Sequence, residues 1–187
     1  MLDAIRESNE NSNVGGAFNS NFAGLHALRL GDDYSAGGQG EMQYKVILSF
    51  DTSTLPDAAT IQSAKLMLAA SGLCGMNPFT THGMCYVDIA TGFFGAGPRI
   101  QKTDFQAAAT AERVAVMGAP PIAGDIISQG SLDGSGLAAI DKTGSTQLRV
   151  YFATDDNDND ADDWIGFYSG EAVNPLLRPM LCVTYTE

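Results

Sequence analysis

Five stretches of this 187-residue chain alternate apolar and polar side chains with a period of two, and that period restricts the fold more than any other feature. Successive side chains of a strand point to opposite faces, so from Gln43 to Phe50 the residues Tyr44, Val46, Leu48 and Phe50 share one face. Gln43, Lys45, Ile47 and Ser49 take the other. Ile61 to Ala69 sets Gln62, Ala64, Leu66 and Leu68 against Ile61, Ser63, Lys65 and Met67. Leu25 to Leu30, Gln147 to Thr154 and Met180 to Thr186 repeat the pattern, and Leu2 to Glu7, Cys85 to Ile89 and Trp164 to Ser169 add shorter strands. Gly31, Asp32 and Asp33 read as a turn. One helix is expected, from Asp104 to Arg113, with Thr103 or Asp104 as its N-cap and an alanine-rich body, and Gly136 to Asp141 suits a single helical turn. Eight or nine short strands, long loops and one short helix predict an all-β, jelly-roll-type β-sandwich.

The acids support that class. Sixteen are Asp and six are Glu, and Asp is a turn, cap and cation residue where Glu is a helix former. With 10 Lys and Arg against 22 acids the formal charge is −12, which leaves nothing to displace counterions from nucleic acid. No run approaches the roughly 18 apolar residues of a membrane helix, so no integral membrane segment is expected.

Two parts are expected: residues 1–24, a first strand with a polar Asn- and Gly-rich loop or arm, and residues 25–187, the β-sandwich. The tract from Ser8 to Phe22, with Asn9, Asn11, Asn13, Asn19 and Asn21, buries too little apolar surface to fold alone. It lies over its own domain or reaches a neighbouring copy. The first residues have neither the basic start nor the apolar core of a signal peptide. Cys74 and Cys85 flank a loop whose Asn77, Pro78 and Gly83 turn the chain back, so a disulfide closing that loop is one expectation and two buried thiols the other. Cys182 is then the odd thiol. No Cys-x-x-Cys pair and only two His, His26 and His82, speak against zinc.

Tyr44-Lys45-Val46-Ile47-Leu48-Ser49-Phe50-Asp51-Thr52-Ser53-Thr54-Leu55-Pro56-Asp57, followed by Ile61-Gln62-Ser63-Ala64-Lys65-Leu66-Met67-Leu68, is one distinctive block. Gly166-Phe167-Tyr168-Ser169-Gly170-Glu171 and Arg178-Pro179-Met180-Leu181-Cys182-Val183-Thr184-Tyr185 are two more. Together they resemble the DNRLRE-type domain, a carbohydrate-binding-module-like jelly roll of secreted and cell-surface prokaryotic proteins. The resemblance follows the order of elements over about residues 25–187. The string that names the family is absent, and the middle from Gly72 to Gly136 carries its own insertions. It implies an extracellular, non-catalytic module used in polysaccharide binding, adhesion or surface architecture.

Six of the 22 acids fall between Asp155 and Asp163. Asp156, Asp158, Asp160 and Asp162 recur at the spacing that lets loop carboxylates converge on a hard cation. An EF-hand is excluded, because Ala161 stands where that loop needs Gly and Phe167 where it needs Glu. A Ca2+ site built by a sandwich loop remains, with Asp155, Asp156, Asp158, Asp160, Asp162 and Asp163 as ligands and Asp32, Asp33, Glu7 or Glu10 completing the shell. The other reading is a solvated acidic loop. His82 has no nucleophile context, and no carboxylate pair ranks above the rest as a glycosidase pair. Trp164, Tyr168 and Tyr34 could stack on a sugar, though Trp164 also suits a core plug. The sequence therefore points to a calcium-stabilised extracellular module that binds polysaccharide or another surface ligand, or else to a subunit that assembles with copies of itself into a surface layer or filament. No enzyme is expected.

Overall fold

A computed structural model describes residues 4–18, 28–35, 40–120 and 127–187. Every pairing in it is antiparallel. The strands are β1 (Ala4–Glu7), β2 (Gly15–Phe18), β3 (Leu28–Ser35), β4 (Gly40–Asp51), β5 (Thr60–Cys74) and β6 (Cys85–Thr91). They continue with β7 (Ala111–Met117), β8 (Ile127–Ser131), β9 (Ser145–Phe152), β10 (Trp164–Phe167) and β11 (Met180–Thr186). Two short helices, α1 (Pro78–Thr81) and α2 (Gly134–Ala138), are capped by the side chains of Asn77 and Asp133.

The sheet runs β11, β5, β10, β3, β4, β9, β6, β7, so most neighbours are distant in sequence. β8 pairs with the far side of β5, and the Gly118 N–H meets the Gln129 carbonyl at 2.9 Å, which nearly closes the sheet into a barrel. The protein is thus all-β with few helices.

Alternation has the expected consequence. Val46 and Leu48 of β4, Leu66 and Leu68 of β5, Val87 and Ile89 of β6 and Leu148, Val150 and Phe152 of β9 fill one core. The reverse face of β4 is covered as well: Ile47 packs with Ile5, Ala90, Phe94 and Phe105. β1 contributes Ile5 to that cluster and pairs with β4, and β2 pairs with β1, so both strands at the ends of the described arm belong to the sheet. Asn19 and Asn21 lie outside the described residues, as do His26 and the start of the strand expected at Leu25.

The helix expected from Asp104 to Arg113 does not form. A 3₁₀ turn spans Lys102–Phe105, with the Asp104 carboxylate accepting from the Gln101 N–H at 2.8 Å, and the chain then leaves the helical path to become β7. Arg149 explains the change: its Nη1 donates to the carbonyls of Asp104, Phe105 and Ala107 at 3.0, 3.3 and 2.7 Å. Those carbonyls are withdrawn from helical pairing, and so short a helix has little stability of its own.

Gly31, Asp32 and Asp33 are likewise not a turn but the middle of β3. Gly31 has φ +120, and a Cβ there would stand 2.1 Å from the Asp163 carbonyl oxygen, so glycine lets β3 lie against the acidic loop.

The disulfide expectation is corrected too, for Cys74, Cys85 and Cys182 are all free. Cys74 ends β5 opposite Trp164, whereas Cys85 starts β6 opposite Phe152 and is buried in the core. Burial pushes the Cys85 thiol far above its ordinary range and raises Cys74, the latter helped by the Asp162 charge. Native alkylation at neutral pH should therefore label exposed Cys182 first and Cys85 only after unfolding, which peptide mass mapping of the labelled protein reads directly.

Candidate metal centre

The acidic run begins where β9 ends, and residues 155–163 carry the chain across to β10. Asp158 and Asp160 have φ of 56 and 57, a left-handed conformation that Asp tolerates better than most residues.

Several carboxylates hold the loop rather than face outward. Asp163 is buried; its Oδ1 accepts from the Met76 N–H, and its Oδ2 accepts from the side chains of Asn157 and Asn159, both at 2.7 Å. Asp162 Oδ1 accepts from the Tyr34 N–H at 2.8 Å. Asp32 is fully buried: Oδ1 accepts from the Asp163 N–H at 2.7 Å, and Oδ2 lies 3.0 Å from His82 Nε2. His82 Nδ1 in turn lies 2.7 Å from the Thr81 hydroxyl. Buried Glu41 takes the N–H groups of Ala161 at 3.0 Å and Asn159 at 3.2 Å. Backbone N–H groups that the loop would otherwise leave unsatisfied thus end on carboxylates.

Three other acids gather beside the loop. Glu10, Asp156 and Asp158 present one oxygen each, all within 4.8 Å of one another. Oxygens bound to one calcium ion at 2.3–2.6 Å can be no more than about 5 Å apart, so the three fit a common ion. Asp156 is 6% exposed. Its Oδ1 receives the Asp158 N–H at 3.3 Å, while its Oδ2 is buried with no hydrogen-bond partner. Burial pushes the Asp156 carboxyl up to about 6, and the charges of Asp155, Asp158 and Glu41 add to the shift. A divalent ion would supply the missing partner and relieve that repulsion.

Of the expected ligands, the structure brings together Asp156 and Asp158, joined by Glu10. Asp32, Asp162 and Asp163 are consumed in holding the loop. Asp33 pairs with Arg6 at 2.5 Å and Arg29 at 3.7 Å, Asp155 lines a neighbouring cavity, and Asp160 is exposed. Glu41 and the His82–Asp32 link had no signal in the sequence, because each depends on strands remote from the acidic run.

The aromatic platform is dispersed along the strands. Trp164 lies opposite Gly31, Tyr34 pairs with Glu41 further along β3, and Tyr168 follows the end of β10 with its N–H on the Ala69 carbonyl. The Trp164 ring carries the Arg29 guanidinium 4.0 Å from its centroid, so a cation occupies one of its faces.

Gly40 has φ +75, and a Cβ there would fall 1.6 Å from Glu10 Oε2. Gly40→Ala should displace the Glu10 carboxylate and weaken calcium binding by about tenfold or more, read by calorimetric titration. Comparison with protein-family models and with curated proteins gives no match.

Proposed function

We propose that this chain is a calcium-stabilised, non-catalytic β-sandwich module that works outside the cell by binding polysaccharide or another surface ligand. The observation that carries the reading is the buried Asp156 carboxylate, whose Oδ2 has no partner and which shares its site with Glu10 and Asp158. A divalent cation is the ligand this oxygen set suits. Asp162 and Asp163 of the loop, with Asp32 and Glu41 from the neighbouring strands, hold backbone N–H groups, an arrangement that supports a scaffold for binding more than acid–base chemistry. Tyr34 and Trp164 flank the loop and are the residues to test for sugar contact. Calcium-dependent binding on a glycan array, lost in Tyr34→Ala or Trp164→Ala, is the expected result; no binding with calcium present would remove the polysaccharide reading.

One observation favours a structural subunit instead. β11 lies at the end of the sheet order, pairs with β5, and exposes Cys182 and Tyr185. An edge of this kind accepts a strand from a second copy. Ordered polymers in electron micrographs, with calcium and without chelator, would favour that role.

A further inference from the structure

β1 lies beside β4 with Ile5 opposite Lys45, and the chain turns after β1 to return as β2. Gln43 and Lys45 of β4 and Tyr151 of β9 alternate with residues that fill the core, so they stand on the opposite face of the sheet. Between that face and the turn lies a cavity of about 280 Å³, lined by Glu7, Asn13, Gln43, Lys45 and Tyr151, with exposed Ala153 at its rim.

Glu7 is 2% exposed; its Oε1 accepts from the Asn13 N–H and, at 3.3 Å, from the Ser12 hydroxyl, while its Oε2 is buried without a partner. Lys45 donates to Asn13 Oδ1 at 3.1 Å and to the Phe105 carbonyl at 3.4 Å, two of the three bonds an ammonium can make. None of the ion pairs among the described residues joins Glu7 to Lys45, so a guest can lie between them. The Tyr151 ring is held in position, because its hydroxyl donates to Asp88 Oδ1 at 3.1 Å. Burial raises the Glu7 carboxyl and lowers Lys45 to about 8, the Arg149 charge adding to the latter. Both groups are short of water, and a hydrogen-bonding guest relieves both.

We propose that this cavity is a subsite for one neutral sugar ring, with its hydroxyls between Glu7 and Lys45 and its C–H face on Tyr151. The assignment rests on the polysaccharide reading and adds a contact apart from Tyr34 and Trp164, neither of which lines the cavity. A hydroxyl both donates and accepts, so neighbouring hydroxyls satisfy a carboxylate and an ammonium together. A uronate would meet Glu7 and Asp155, and an amino sugar would meet Lys45, in each case a like charge away from water. The volume falls just below the roughly 300 Å³ at which ligand pockets begin, which suits one ring and not a run of them. Tyr151 supplies the apolar area on which the C–H groups of that ring pack. Glu10 belongs to the same turn, so an ion held by Glu10, Asp156 and Asp158 would also fix one wall of the cavity.

The test is a glycan array of neutral hexose oligosaccharides and their uronate counterparts, with calcium in excess throughout, followed by calorimetric titration of the neutral oligosaccharide that binds most strongly. The parent should bind neutral members at least about tenfold more tightly than the uronates. Ala153→Trp, which fills the mouth from its exposed rim, and Lys45→Met should each weaken binding by about tenfold or more while keeping the parent's circular dichroism spectrum. If Lys45→Met fails to fold, Ala153→Trp decides. Unchanged binding in either folded variant would overturn the subsite and leave the polysaccharide reading standing. A preference for uronates would overturn it as well. Binding to no member of the array would remove the polysaccharide reading itself, and the subsite with it.

Discussion

Calcium at about one hundred times its dissociation constant should stabilise the protein by about 2.7 kcal/mol, and chelation should remove that gain. For a chain of this size it corresponds to a fall of roughly 5–10 °C in the unfolding midpoint, measured by calorimetry with and without chelator. An unchanged midpoint would sink the calcium reading. Asp156→Asn separates the ion from the fold, since it retains the shape of the side chain but removes the charge that burial opposes. Without calcium at pH 7 the variant should be at least as stable as the parent; with calcium it should gain nothing. Acid dependence follows the same logic. The Asp156 carboxyl is pushed up to about 6 in the folded state from an ordinary value of 3.8. The folded state then binds more protons than the unfolded one between those values, so ion-free stability falls as pH rises from about 4 to about 6. Glu7 and Asp104, both raised by burial, contribute in the same direction. The Asp156 part is worth about 1–2 kcal/mol once partial solvent screening is allowed for. Calcium should abolish it, because the ion binds the deprotonated form.

Arg149→Ala should cost about 3–5 kcal/mol, the range for removing one partner of a buried ion pair. Arg149 Nη2 meets Asp88 Oδ2 at 2.6 Å with both side chains buried, and the Tyr151 hydroxyl donates to Asp88 Oδ1 at 3.1 Å. The guanidinium also fixes the three carbonyls of the turn that covers Ile47. Truncation would leave Asp88 without its counter-charge and those carbonyls without their donor, and would loosen Phe105 and Phe94 from the outer face of β4. Urea unfolding should show a lower midpoint in Arg149→Ala, and Arg149→Lys should recover only part of the loss, since one ammonium cannot reach carbonyls and carboxylate together. A loss below about 1 kcal/mol would mean that the turn docks by its apolar contacts alone.

Strands were the most legible part of this sequence, because alternation survives wherever one face meets a core. Gln43 to Phe50 and Met180 to Thr186 lie within or on the strands observed. Where local preference met a distant partner, the partner won: the alanine-rich stretch after Asp104 surrendered its carbonyls to Arg149, and Gly31 to Asp33 became strand because the acidic loop lies against it. The candidate site divides the same way. Spacing pointed equally to Asp156, Asp158, Asp160 and Asp162, of which the first two gather with Glu10, one of the acids able to join them. Which carboxylates would be spent on the loop was not legible, because Glu41 reaches Ala161 across 120 positions and Asp32 reaches Asp163 across 131. No local window contains such a pairing.

β5 is hydrogen-bonded on both edges where β11 and β8 overlap, at Lys65, Leu66 and Met67. The ring itself closes through β8 and β10, which meet β5 at Ala69 and Ala70 and beyond, so it does not need β11. Detachment of the last strand would thus be a sub-global opening that leaves the barrel intact. Amide exchange should record it as two protection classes along a single strand. N–H groups of β5 directed at β11 would exchange through this cheap opening, while those directed at β8 would wait for the whole molecule to unfold.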